Sequence, residues 1–168
     1  MFARIIGVFK LETRTFEEIE HNADLTGQAF LLVVIVSLLT GVGGGFMAPG
    51  FFSGFLGALV SVVIGWVIWS LATWFVGTRL FKGSADLGEM LRVIGFAYTP
   101  QVLGIIPCVG GVIGAVWTLL AVFVAIRQGL DLDNSRAFFT ALVGFIFYCV
   151  LMALINTMFG GITITFLG

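Results

Sequence analysis

The stretch that decides the fold runs from Arg92 to Arg127, RVIGFAYTPQVLGIIPCVGGVIGAVWTLLAVFVAIR, and carries no charge between its two terminal arginines. A hydrocarbon core about 30 Å thick requires roughly 20 helical residues for each crossing. The uncharged stretch is therefore long enough for two crossings with almost no connector. It predicts a tight hairpin of two membrane-spanning helices, with both arginines on the same side of the membrane.

Two of the chain's three prolines, Pro100 and Pro107, lie inside this stretch. A proline removes a backbone donor and crowds the preceding turn of a helix. In a bilayer, the freed backbone groups must be satisfied by neighbouring helices or polar side chains. We therefore predict a proline-broken third span inside a bundle. The residues of its candidate packing or cavity region are Gly95, Tyr98, Thr99, Pro100 and Gln101, with Asn156 from the last span.

The composition independently indicates an integral membrane protein. Hydrophobic residues make up 60% of the chain and charged residues only 10%, whereas soluble domains are about 25% charged. The mean hydropathy is +1.15. A net charge of −1 gives no attraction to nucleic acid. Cys108 and Cys149 form no metal-binding motif, and we predict neither a metal nor a cofactor.

Hydropathy divides the chain into a lead-in, residues 1–28, and five spans within one membrane domain, residues 1–168. In the lead-in, apolar residues at Phe2, Ile5, Ile6 and Phe9 share one helical face. They predict an amphipathic helix in the membrane interface. We expect the glycine-rich residues 43–54 to form an apolar loop. The predicted spans are 29–42, 55–78, 91–106, 110–126 and 137–159.

The charges predict the orientation. All eight basic and nine acidic residues lie before the first span, in residues 79–92 or in residues 127–136. Five crossings place these three segments on one side. The positive-inside rule makes that side cytoplasmic, which predicts a cytoplasmic N-terminus and an extracytoplasmic C-terminus.

Small residues recur every four positions in two of the spans. This spacing allows close approach of helices, and it predicts association with the bilayer's other proteins or with further copies of the chain. The residues of these helix-packing ridges are Gly57, Ser61 and Gly65 in the second span and Gly110 and Gly114 in the fourth.

Away from their ends, the predicted spans contain no Asp, Glu, Lys, Arg or His. No nucleophile–base pair is visible, so we predict no catalytic residue and no enzyme. The first hypothesis is a membrane organiser, a trafficking-like factor or an accessory subunit that acts through helix–helix association. The alternative is a small transporter or permeation protein. Such proteins need an ionisable residue or an unwound segment near the midplane, and only the broken third span could provide one.

Four stretches carry a family resemblance: FARIIGVFKLETRTFEEIE, GWVIWSLATWFVGTRLF, ADLGEMLRVIGFAYTPQVLGIIP and IGAVWTLLAVFVAIRQGLDLDNSRAF. Together they resemble the bacterial branch of the Yip (Ypt-interacting protein) domain family. The resemblance implies a five-span bundle in the bacterial inner (plasma) membrane. Gly95, Tyr98 and Pro100 match the family's glycine–aromatic–proline region, and Asp86 and Leu87 its acidic-leucine element. Eukaryotic relatives are associated with Rab-type GTPases and vesicle trafficking.

Overall fold

The computed structural model describes residues 1–45, 51–106 and 109–158. It describes their side chains except at 40–45, 51–58, 61, 155, 156 and 158. These residues form helices and turns, so the predicted all-α fold is confirmed for this part of the chain. The elements in chain order are α1 (Phe2–Phe9), α2 (Thr13–His21), a short 3-10 turn (Ala23–Leu25), α3 (Thr26–Gly45), α4 (Phe51–Leu80), α5 (Leu87–Ala97), a 3-10 segment (Thr99–Ile105), α6 (Gly110–Gly129) and α7 (Asn134–Met158).

The helices extend beyond the boundaries that the sequence predicts. Helix α3 continues through Gly45 and α4 begins at Phe51, so residues 43–45 and 51–54 belong to helices and not to the expected loop. A helix satisfies its own backbone groups, and an apolar surrounding favours this over an open glycine-rich chain. Residues 46–50 of the expected loop lie outside the described residues.

The charged segment at 79–92 is largely helical rather than a loop. Helix α4 runs to Leu80, and α5 begins at Leu87 after a capping box. The Glu89 backbone N–H donates to Asp86 Oδ1 at 2.7 Å, and the Asp86 N–H donates to Glu89 Oε2 at 2.6 Å. These two bonds satisfy donors that the start of a helix leaves free.

Three helices in the described residues are long and apolar enough to cross a membrane: Val62–Leu80, Gly110–Gly129 and Asn134–Leu154. A fourth span results if Thr13–His21 and Ala23–Leu39, which meet at a bend of 96°, are taken together. The five-span count stays a prediction, since α5 and the 3-10 segment are each too short to span a bilayer alone.

The three charged segments meet at one end of the bundle, which we call the charged end. The Leu130 side chain contacts Gly77, and the Ser84 N–H donates to the Leu130 carbonyl at 3.0 Å. Gln128 Nε2 donates to Glu17 Oε1 at 2.9 Å. The loop after α4, the loop after α6 and helix α2 are therefore neighbours.

Helix α5 lies at the centre of the core and contacts α2, α3, α4 and α6. Helix α7 is peripheral and packs chiefly against α4 and α6. The position of α5 makes its surroundings the natural place to examine the predicted site. The fully buried residues of α5 are Met90, Val93, Ile94, Phe96 and Ala97.

Candidate functional site

The backbone changes from α-helix to 3-10 helix between Ala97 and Thr99. In an α-helix, the amide at position 100 would donate to the carbonyl of Phe96. Pro100 has no N–H to give. The Thr99 hydroxyl donates to the Phe96 carbonyl instead, at 2.5 Å. The buried hydroxyl of Thr99, a predicted cavity residue, is thus bonded to the chain's own backbone.

Two glycines of α6 pack on the 3-10 segment. A Cβ atom added at Gly114 would lie 3.1 Å from the carbonyl oxygen of Pro100. A Cβ at Gly110 would collide with the carbonyl oxygen of Leu103. In the predicted ridge of the second span, Gly65 is buried, while the side-chain surroundings at 57 and 61 lie outside the described part.

Helices α3, α4 and α5 meet at Gly95. A Cβ at Gly95 would lie 2.9 Å from Ala29 Cβ and 3.3 Å from Trp66 Nε1. That same indole N–H donates to the Leu91 carbonyl at 3.1 Å. The absence of a side chain at position 95 therefore allows Trp66 to tie α4 to α5.

Arg92 is the residue that sequence reasoning missed. The charge pattern places it in a charged segment on the cytoplasmic side. In the structure, however, Arg92 is only 6% exposed. Its Nη2 donates to the Glu20 carbonyl at 2.5 Å, and its Nε lies 3.3 Å from the Ile19 carbonyl. Its Nη1 lies 3.4 Å from Thr26 Oγ1. The guanidinium thus satisfies carbonyls that the C-terminal end of α2 leaves without helical partners.

Helices α1 and α2, residues 2–21, form what we call the N-terminal hairpin. A Cβ at Gly7 would collide with Thr15, so the two helices pack closely. Arg4 forms an ion pair with Glu18 at 2.6 Å. The hairpin buries Val8, Phe16 and Ile19 completely.

The predicted apolar face of α1 is divided between protein and surroundings. Ile5 packs against the core, whereas Phe2 is 79% and Ile6 55% exposed. One side of α1 therefore packs on the bundle, and the opposite side exposes apolar side chains to the surroundings.

The family model described as the Yip1 domain matches residues 6–155. The chain belongs to the Yip1 domain family. Comparisons with curated proteins and with solved structures gave no match. Membership of this family, together with the apolar helices, supports association with a membrane. The match includes α2, Arg92 and the whole of α5, so the docked hairpin lies within the Yip1 domain from residue 6 onward.

Of the predicted cavity residues, Thr99, Pro100 and Gln101 lie in the 3-10 segment that packs against α6, whereas Gly95 faces α3 and α4. Thr99 and Pro100 are buried, and Tyr98 and Gln101 are half-buried. The side chain of Asn156 lies outside the described residues, and its helix α7 packs chiefly on α4 and α6. The proposed role of these residues as a cavity stays a prediction.

Glu20 is a buried ionisable group of the N-terminal hairpin. It is 5% exposed, and burial raises its pKa from 4.5 to about 7. Neighbouring His21 lowers this pKa, while Asp131, Glu89 and Glu17 raise it further. The pKa of exposed His21 is raised, first by its hydrogen bond to the Glu17 carbonyl and then by the charge of Glu20.

Replacing Glu20 with glutamine should stabilise the Yip1 domain above neutral pH. A carboxyl whose pKa is higher when folded favours folding while protonated, and that advantage is lost as pH rises from 4.5 to about 7. His21 acts in the same direction, because its protonated form is favoured in the fold. Thermal unfolding in detergent at about pH 5 and about pH 8 should show a smaller pH dependence for Glu20→Gln than for the wild type. Equal pH dependence would contradict the assignment; the control is Asp24→Asn, at an exposed carboxylate.

Proposed function

We propose that this chain is a non-enzymatic integral membrane protein of the bacterial inner (plasma) membrane. It crosses the bilayer five times, with α3 as the first span and α5 with the 3-10 segment as the third. The charged end faces the cytoplasm, and the C-terminus lies outside. The protein acts through helix–helix association, as a membrane organiser, a trafficking-like factor or an accessory subunit of a larger membrane complex.

The observation that carries this proposal is the one-sided attachment of α7. Its buried face is narrow and contains Ala137, Gly144 and Tyr148. The rest of the helix exposes an apolar, aromatic-rich surface. In lipid, helices associate through complementary packing rather than through hydrophobicity, and rigid aromatic side chains provide such surfaces. The exposed residues are Phe138, Phe139, Leu142, Phe145, Ile146, Phe147, Val150 and Leu154.

Polar groups in the interior support a structural rather than a chemical role. The indole of Trp66 is bonded to the Leu91 carbonyl, and that of Trp74 to the Ala85 carbonyl at 3.0 Å. Thr73 and Thr78 donate to carbonyls of their own helix. These bonds hold helices and the loop after α4 in place.

We expect the protein, extracted in mild detergent after cross-linking in its native membrane, to appear as oligomers or with stoichiometric partners. Replacing Phe138, Leu142 and Ile146 together with alanine should weaken that association, because the variant removes a stripe of the exposed apolar surface of α7. The matched control replaces Val67 and Leu71, which lie on the exposed face of α4, with alanine. A species that is monomeric and free of partners under all these conditions would refute the proposal.

The alternative, a small permeation protein, is favoured by three buried hydroxyls that have no hydrogen-bond partner among the described residues. They lie on three different helices, at Ser70, Thr118 and Thr140. Buried polar groups without partners are costly, and water would satisfy them. Glycerol flux into vesicles containing the purified protein, above that of empty vesicles, would favour this alternative.

A further inference from the structure

The apolar surface of the bundle differs in length on its two sides. On α4, exposed apolar side chains extend from Val60 to Leu80, a length of about 30 Å along the helix. On α6, they extend only from Val109 to Leu120, a length of about 17 Å. Beyond Leu120, residues 121–130 of α6 are buried or half-buried.

The N-terminal hairpin covers this remaining part of α6. Trp117 Nε1 donates to the Phe9 carbonyl at 2.9 Å, so the turn between α1 and α2 lies beside Trp117. That position is ten residues, or about 15 Å, along α6 from Arg127. Gln128 bonds Glu17 near the other end of the covered part.

The hairpin's turn lies beside Trp117 and carries exposed charges. Counted back along both helices from the contact between Leu130 and Gly77, Trp117 corresponds to Ile64, an exposed apolar residue of α4. Lys10 and Glu12 belong to this turn, lie 3.7 Å apart and are more than half exposed. Exposed Arg14 comes next. Ionised side chains do not remain in hydrocarbon unless water or headgroups reach them.

We propose that lipid headgroups of the charged-side leaflet descend around the N-terminal hairpin, so that the bilayer is thinner beside α6 than beside α4. A short apolar surface is accommodated by local thinning of the bilayer. Trp117 marks the boundary on this side, since tryptophan favours the membrane–water interface. On the other side, the boundary lies near Arg79. The inference deepens the proposed role as a membrane organiser and rests on the proposed placement in the bilayer.

The contact between Gly77 and Leu130 supplies a matched pair of positions. Val67 and Leu120 each lie ten residues before that contact, on helices that both run toward the charged end, and both are exposed. Val60 and Ile113 each lie seventeen residues before it and are also exposed. The pair Val67 and Leu120 tests where the hydrocarbon ends on each side of the bundle. The pair Val60 and Ile113 serves as a reference deeper in the hydrocarbon.

The experiment places a nitroxide label on a single cysteine at each of these four positions, in a background with Cys108 and Cys149 replaced by serine. The protein is reconstituted into dioleoyl phosphatidylcholine and phosphatidylglycerol vesicles. Collision rates are measured with oxygen, which enters lipid, and with a water-soluble nickel chelate. We expect the nickel-to-oxygen ratio at Leu120 to exceed that at Val67 several-fold, while Val60 and Ile113 give equally low ratios.

Equal, low ratios at Leu120 and Val67 would overturn the thinning while leaving the bilayer placement intact. Low collision rates with both reagents at Leu120 would show that a protein partner covers this position, and they would also overturn the proposed thinning. High nickel ratios at Val60 or Val67 would reject the proposed placement itself. As a second measurement, replacing Lys10, Glu12 and Arg14 with leucine should bring the Leu120 ratio down toward that of Val67.

Discussion

Replacing Arg92 with methionine is expected to release the N-terminal hairpin from the bundle while leaving the spans folded. Methionine keeps the volume of the side-chain stem but provides no donors, so the Ile19 and Glu20 carbonyls lose their charged partner. Hydrogen bonds to charged groups contribute about 1.5–3 kcal/mol each. A loss of about 3 kcal/mol corresponds to on the order of a hundredfold in a local opening equilibrium.

Hydrogen exchange of the α2 amides measures this opening directly. Exchange at Phe16, Ile19 and Glu20 should accelerate on the order of a hundredfold in Arg92→Met, whereas amides in the middle of α6 should not change. Arg79→Met is the matched control: it removes the same charge at the same end of the bundle, but Arg79 is exposed and lies in the last turn of α4. It should leave α2 protected.

Arg92→Lys separates charge from geometry. A lysine retains the positive charge at the end of α2 but cannot bond several oxygens with one planar fork. We expect exchange intermediate between wild type and Arg92→Met. Unchanged protection of α2 in Arg92→Met would show that apolar burial of Phe16 and Ile19 alone holds the hairpin.

The role of Arg92 shows why part of this site was beyond sequence reasoning. Its partners lie 72 and 73 positions away, and they are backbone carbonyls, which any residue supplies. A pattern of charges therefore identifies Arg92 only as the boundary of an apolar stretch. That interpretation placed Arg92 at the start of a helix, whereas α5 begins at Leu87 and ends at Ala97. It also could not distinguish an arginine in water from one that caps another helix.

Other features were readable from local patterns. The all-α fold follows from apolar composition and long uncharged runs. The start of α5 was within reach, because Asp86 followed by Glu89 has the spacing of a capping box. The helical state of residues 43–45 could not be predicted from the sequence, since glycine usually ends helices in water and only the apolar surroundings reverse that preference.

Gly95→Val is expected to destabilise the core strongly. The first added carbon already lies 2.9 Å from Ala29 Cβ, and the branched methyls extend further toward Trp66. Overpacking of a dense core costs about 1–3 kcal/mol, and displacing the indole would also remove its bond to the Leu91 carbonyl. We expect a loss of about 3 kcal/mol or more in unfolding by SDS in mixed micelles. Gly111→Val, where an added Cβ meets nothing within 4 Å, should cost far less.

A double-mutant cycle tests whether the contact with Ala29 is the cause. Gly95→Ala should destabilise, and Ala29→Gly should recover part of the loss by removing the opposing carbon. A coupling of about 1 kcal/mol or more is expected for groups in direct contact. Independent effects of the two substitutions would mean that α3 shifts to accommodate the new carbon.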